Sequence, residues 1–386
     1  LSERRFLISG RRLGLLANPT SVDRQLNHAC SLLPAAGASL AAVFGPEHGV
    51  FGTAQDMIPV AAEDEQGALG AVPVYSLYGS TEETLAPQTG WLEGLDVVVV
   101  DLQDIGSRYY TYVWSMALMA KRCAEAGVAL VVCDRPNPLG GVVVEGRDIE
   151  AGYESFVGLH DVPHRHGMTI GELARLYVAE AGLDVDLTVV ETAGWRRENL
   201  FEATGLPWVL PSPNMPTVDT AVVYPGGCLL EGTNASEGRG TTRPFEIVGA
   251  PYVEGSALAA ALEGEGLGGV RFRPLCFQPT FQKHAGLICG GVQLHVTDRN
   301  LFQPLRCGVA VVRQLARLGG ESFAWREEAY EFVRDRPAID LLAGGPWLRE
   351  GIAAGASTGE LCAGFGAAEE AFRERRRPFL LYPEAG

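Results

Sequence analysis

Four carboxylates stand where proton chemistry can be done. Glu47 lies in Gly45-Pro46-Glu47-His48-Gly49, a tight turn with a histidine beside the acid. Burial at such a turn can raise a carboxyl, and a neighbouring imidazole can tune one. Asp101 and Asp104 follow the apolar run Val97–Val100 in Asp101-Leu102-Gln103-Asp104. Glu237 sits in Glu231-Gly232-Thr233-Asn234-Ala235-Ser236-Glu237-Gly238-Arg239-Gly240-Thr241-Thr242-Arg243, where acids, guanidiniums and an amide alternate with glycines. That mixture suits a loop laid around a polyhydroxylated or carboxylated ligand, since glycine lets backbone approach closely.

Further polar residues end apolar runs in the same way: Asn18 after Leu13–Ala17, Glu47 and His48 after Leu40–Phe44, Arg108 beyond Asp104, and Asp134, Arg135 and Asn137 after Val128–Cys133. Three histidines, His160, His164 and His166, have a spacing met in zinc hydrolases, so a metal-dependent amide or ester hydrolase is one alternative. Pro163 breaks any helix that would put His160 and His164 on one face. A catalytically silent binding protein is the other alternative. No P-loop, G-x-S-x-G elbow or H-E-x-x-H occurs. Gly264–Gly269 matches G-x-G-x-x-G but follows a helical stretch and precedes a strand, the reverse of the dinucleotide order. No cofactor and no metal are expected.

The elements that must position these groups alternate. Strands are predicted over 13–17, 40–44, 72–77, 97–100, 128–133 and 187–190. Helices are predicted over 25–36, 111–126 (with Gly127 as cap) and from Thr169, whose Thr169-x-x-Glu172 reads as a capping box. Strand–helix alternation of this kind predicts an α/β fold, a Rossmann-like doubly wound mostly parallel sheet. Ligands in such sheets bind beyond the carboxyl ends of the strands. Proline-rich Leu210–Pro216 and Tyr224-Pro225-Gly226-Gly227 interrupt the pattern. A helix over 257–262, strands over 270–272 and 291–296, and a helix over 303–318 then predict a smaller C-terminal α+β domain. The expected division is 1–245 and 246–386.

Composition excludes several classes. With 386 residues, 47% hydrophobic and 20% charged, the chain can build a full core. Its formal charge of −16 excludes a nucleic-acid binder, which needs clustered cations. It equally disfavours an anionic membrane surface, and no apolar run approaches a span. Only Lys121 and Lys283 are lysines, so an anionic ligand would meet arginine forks. The eight cysteines form no C-x-x-C pair and read as buried, reduced thiols. The chain begins at Leu1, which reads as a trimmed or processed start and leaves compartment open, as oligomeric state is.

The motifs Leu15-Leu16-Ala17-Asn18-Pro19-Thr20, Phe44–Gly49, Val100–Gly106, Asp134-Arg135-Pro136-Asn137-Pro138, Arg165-His166-Gly167-Met168-Thr169, Pro213-Asn214-Met215-Pro216-Thr217 and Glu231–Glu246 together resemble, in order, the bacterial exo-β-N-acetylmuramidases, long catalogued as a domain of unknown function. The resemblance implies a glycoside hydrolase that releases terminal β-linked N-acetylmuramic acid from peptidoglycan fragments, MurNAc-GlcNAc or a muropeptide. It also implies a cleft between a Rossmann-like domain and a smaller one. Glycosidic cleavage asks for one acid on the leaving oxygen and a second group for the oxocarbenium-like centre. On this reading Glu47 is the acid, while Asp101, Asp104 and Glu237 compete for the second role. The lactyl carboxylate would be met by Arg108, Arg135, Arg239 or Arg243, with His166 as helper. Tyr109, Tyr112 and Trp114 are candidates to stack on a sugar face, and Asn18, His48, Asp134, Asn137, Asn214, Glu231 and Asn234 to hold hydroxyls.

Overall fold

The computed structural model of the protein describes residues 3–61 and 69–383. Its first unit is a six-stranded, wholly parallel sheet in the order β3-β2-β1-β4-β5-β6. The strands are β1 (Arg12–Ala17), β2 (Ser39–Gly45), β3 (Val74–Ser76), β4 (Val97–Asp101), β5 (Ala129–Cys133) and β6 (Leu187–Val190). Central β4 is covered on both sides. Val97 and Val99 pack with Leu13, Leu15, Ala29 and Leu33, while Val98 and Val100 join the main core with Met116 and Leu173. All four valines are fully buried, and each contributes about 1.5 kcal/mol or more by leaving water. The order reverses between β1 and β4, which puts a topological switch point beside their carboxyl ends.

Helix α1 (Ala29–Ala35) covers one face; α2 (Tyr112–Ala126) and α3 (Ile170–Glu180) cover the other. Helix α1 starts four residues later than the pattern predicts. Asp23 accepts from the backbone N–H of Gln25 and of Asn27, holding a turn instead, and His28 caps the helix through Cys30 N. The expected caps of α2 and α3 are present: Gly127 is left-handed, and Thr169 and Glu172 exchange capping-box bonds. Buried Arg197 pairs with Glu172 at 2.7 Å and donates to the carbonyls of Gly141 and Gly167, tying α3 to the loop after β5.

The smaller C-terminal unit has an antiparallel sheet, β7-β9-β8, from β7 (Ile247–Ala250), β8 (Val270–Phe277) and β9 (Cys289–Val296). Tyr224–Gly227, read as an interruption, instead ends helix α4 (Val218–Gly227), with Pro225 inside it. The next two helices are α5 (Gly255–Glu263) and α6 (Pro304–Gly319). Four short helices follow: α7 (Ala338–Ala343), α8 (Trp347–Ala353), α9 (Thr358–Leu361) and α10 (Phe365–Arg376). The chain then returns to the first unit. Arg375 pairs with Glu180 and Asp161, Arg376 donates to His166 O and Gly167 O, and the Tyr382 hydroxyl donates to Asp134. All eight cysteines are unpaired; Cys276 is exposed, against the expectation of burial, because it lies on an outer face of β8. Among the described residues no helix is long and apolar enough to cross a membrane.

Helices α4 and α6 meet backbone to backbone. A Cβ on Gly226 would lie 1.9 Å from Pro304 O, and one on Gly308 would lie 2.2 Å from Gly226 O. Gly226→Ala is therefore expected to cost about 3 kcal/mol or more, at the upper end of overpacking penalties, measured by urea denaturation. A loss below about 1 kcal/mol would mean the helices can part without cost.

Candidate active site

The strand ends deliver their polar residues to two different places. Glu47 and His48 follow β2 and turn toward the C-terminal unit, into a narrow cleft. Its other walls are Asp56, the α2 entry Tyr109–Tyr112, Ser212, Asn214 and Met215 of the proline-rich stretch, Tyr224 of α4, Glu231, Arg239, Phe245, and Tyr330 with Glu331. His48 has φ +69, a left-handed strain of about 1–3 kcal/mol held by its Nδ1 contact to Ala54 O at 2.9 Å. The Thr111 hydroxyl donates to Glu47 Oε2 at 2.6 Å. Asn214 Nδ2 donates to Gln55 Oε1 at 2.7 Å, fastening the loop that carries Asp56. The Tyr110 and Tyr112 hydroxyls donate to Ser212 Oγ and Pro211 O, and Tyr109 donates to Pro225 O. The aromatic floor is thus fixed to the proline-rich segment.

Arg239 organises the opposite wall. Its Nη2 lies 2.5 Å from Glu231 and 3.2 Å from Asp56, and its Nε lies 3.3 Å from Glu237. Behind it, Lys283 Nζ lies 2.9 Å from the other Glu237 oxygen. Burial alone would drive Glu237 toward neutrality, but Lys283 and Arg239 together hold it below the usual carboxylate range. Glu231 is raised, chiefly by burial, and its second oxygen accepts from the Tyr330 hydroxyl at 2.6 Å.

Glu331 and Phe332 form a two-residue turn between paired Tyr330 and Val333, with φ +45 and +69. Positive φ at both central positions belongs to a type I′ hairpin, which favours Asn-Gly. Glutamate and phenylalanine there cost about 1–3 kcal/mol each. The turn points a buried carboxyl, 4% exposed, into the cleft. Glu331 Oε2 accepts from the Tyr78 hydroxyl at 3.0 Å. Burial, then the charges of Glu47 and Asp56, push Glu331 well above the ordinary glutamate value.

Of the residues singled out in the sequence, the cleft gathers Glu47, His48, Tyr109, Tyr112, Asn214, Glu231 and Arg239, with Glu237 directly behind. The others are not on its wall. Arg108 is buried the opposite way, donating to the carbonyls of Arg147, Val162 and Leu342 and touching His164. Arg135 pairs with Asp101 at 2.7 Å over a separate hollow bordered by Val22 and Asp23. Asp134 accepts from Thr169, Gly171 and Tyr382 at the start of α3. Asn137 caps its own turn through Leu139 N and donates to Met168 O. Asn18 closes the turn after β1 by accepting from Thr20. Asn234 binds Ser322 O and Tyr252, and Arg243 pairs with Glu246. Asp104 accepts from Gly106 N and lies 3.3 Å from His166 Nε2. Trp114 is core, its indole donating to Arg108 O.

The three histidines do not converge. His160 is 2.5 Å from Glu180, His164 meets Tyr109 edge-on with its Nε2 2.9 Å from Arg108 Nη2, and His166 faces Asp104. Among the described residues no group of three His, Cys, Asp or Glu is placed to hold a metal. Sequence reasoning missed Asp56, Tyr330 and Glu331. No local sequence signal marks these three as neighbours; tertiary packing alone brings them to the cleft.

Comparison with known proteins agrees across the whole chain. Residues 13–219 match the family described as Exo-beta-N-acetylmuramidase NamZ, N-terminal, and residues 222–382 match its C-terminal counterpart. The Peptidoglycan beta-N-acetylmuramidase NamZ of Bacillus subtilis (strain 168) is 43% identical over 380 residues, covering 97% of this chain and 88% of that protein. A DUF1343 family protein from Bacteroides fragilis NCTC 9343 has a solved structure with TM-score 0.88 and 32% identity, covering 99% of this chain and 97% of that one. A second from the same organism gives 0.77 and 28%, covering 100% and 98%. Matched in both halves and over nearly its full length, this chain belongs to the exo-β-N-acetylmuramidase NamZ family.

Proposed function

We propose that this protein is an exo-β-N-acetylmuramidase, a glycosidase that removes terminal β-linked N-acetylmuramic acid from the non-reducing ends of peptidoglycan fragments. The observation that carries the reading is a cleft holding the buried carboxyls of Glu47 and Glu331 over a tyrosine floor, in a chain 43% identical to a peptidoglycan β-N-acetylmuramidase. Hydrolysis of a glycosidic bond needs a proton for the leaving oxygen and negative charge near the oxocarbenium-like carbon. Paired carboxyls supply both.

Glu47 is assigned as an essential carboxyl at the reacting centre, with Tyr109 and Tyr112 under the sugar and His48 and Asn214 as hydroxyl partners. Glu237 acts through Arg239 rather than on the sugar. Of the four candidate arginines only Arg239 lines the cleft, where Glu231, Asp56 and Glu237 already share its charge, so the lactyl carboxylate is not assigned to any of the four.

The wild-type protein is expected to release 4-nitrophenol from the β-N-acetylmuramide and not from the β-N-acetylglucosaminide. Equal rates on the two glycosides defeat lactyl recognition, and no release from either defeats the reading. Glu47→Gln is expected to lower kcat by about 10²–10⁴-fold while the melting temperature changes little; an unchanged kcat removes Glu47 from the reaction.

A further inference from the structure

We propose that Glu331, not Glu47, is the proton donor to the leaving glycosidic oxygen, and that Glu47 works as its ionised partner. The inference rests on the glycosidase reading above and deepens it by dividing the labour between the two carboxyls.

The argument begins with where each acid in the wall finds a partner. Glu231 has both oxygens taken by donors, Arg239 and Tyr330. Asp56 is held by Arg239, and Glu237 by Arg239 and Lys283. Each of these three is engaged by a cation. Among the described residues two carboxyls of the cleft remain without a cation, Glu47 and Glu331, each with a neutral hydroxyl donor.

Counting Asp56 and Glu237 with the three glutamates of the cleft, five carboxyls face two cations, Arg239 and Lys283. Full ionisation would leave three unbalanced charges in a water-poor space, so at least one group must keep its proton. Glu331 is the group that does. It faces Glu47, Asp56 and Glu231 with the Tyr78 hydroxyl to ease its charge, and their repulsion adds to its burial. One oxygen accepts from Tyr78, leaving the protonated one for the cleft. The strained turn at Glu331-Phe332 fits this reading, since a glutamate kept at a position that favours asparagine or glycine has a task there.

In the step itself, the glycosidic oxygen takes the Glu331 proton as its bond to C1 breaks. The bond's electron pair leaves with that oxygen, which departs as a sugar hydroxyl. The Glu47 carboxylate faces the positive charge at C1. Water then adds to C1, and the proton it loses restores the Glu331 carboxyl, so one water is consumed per bond.

The test compares leaving groups. Nitrophenolate departs with little acid help, whereas a sugar hydroxyl does not. Glu331→Gln is expected to lower kcat/KM on MurNAc-GlcNAc by about 10²–10⁴-fold but only a few-fold on 4-nitrophenyl β-N-acetylmuramide. Glu47→Gln is expected to lose both. The opposite pattern, or equal losses for Glu331→Gln, overturns the assignment while leaving the glycosidase reading intact; a wild type inactive on both muramides fails the reading instead. If Glu331→Gln does not fold, Tyr78→Phe decides. Removing the hydroxyl that favours ionised Glu331 should move the alkaline limb of kcat/KM on MurNAc-GlcNAc to higher pH, and an unmoved limb overturns the proposal.

Discussion

Arg239 is the hinge of the site's electrostatics. A single buried guanidinium is shared by Glu231, Asp56 and Glu237, which come from a loop after β2 and from the segment that enters the smaller unit. Without that cation three acids would repel one another in a low-dielectric wall. With it they are fixed, and their residual field falls on the two carboxyls that have no cation. The reacting end of the cleft is therefore set by charge that is compensated on one side and left uncompensated on the other.

This arrangement makes the two units interdependent. The first supplies Glu47, Thr111 and the tyrosine floor at the carboxyl ends of its strands; the second supplies Tyr330 and Glu331. The close α4–α6 crossing at Gly226 and Gly308, and the return of Arg375, Arg376 and Tyr382 onto the parallel sheet, hold the halves in register. Positioning at this precision is what separates a cleft that binds sugar from one that can cleave it.

Much of the fold was legible because it is written in short-range pattern. Four successive valines mark a doubly covered strand, and Thr169 with Glu172 marks a helix start. Placement in the cleft was legible where it follows from a residue's own turn, as with Glu47 and His48. It was not legible where direction matters. Strand-end position says that Arg108, Asp134 and Arg135 lie near one rim, but not that their side chains turn to carbonyls, to α3 and to Asp101. Glu331 was hidden for a different reason. It follows the charged stretch Arg326-Glu327-Glu328 and lacks the asparagine or glycine that announces a two-residue turn. Burial among distant acids, which gives it interest, is a property of the tertiary structure alone.

The Tyr78–Glu331 hydrogen bond joins residues 253 positions apart. Contacts of such long range form late, after the local elements of each unit. During synthesis the parallel sheet can assemble on the ribosome with Glu47 already in its turn, while the cleft still lacks the wall that Tyr330 and Glu331 provide. A chain that ends before that turn therefore has the Glu47 side of the cleft without the Tyr330–Glu331 wall.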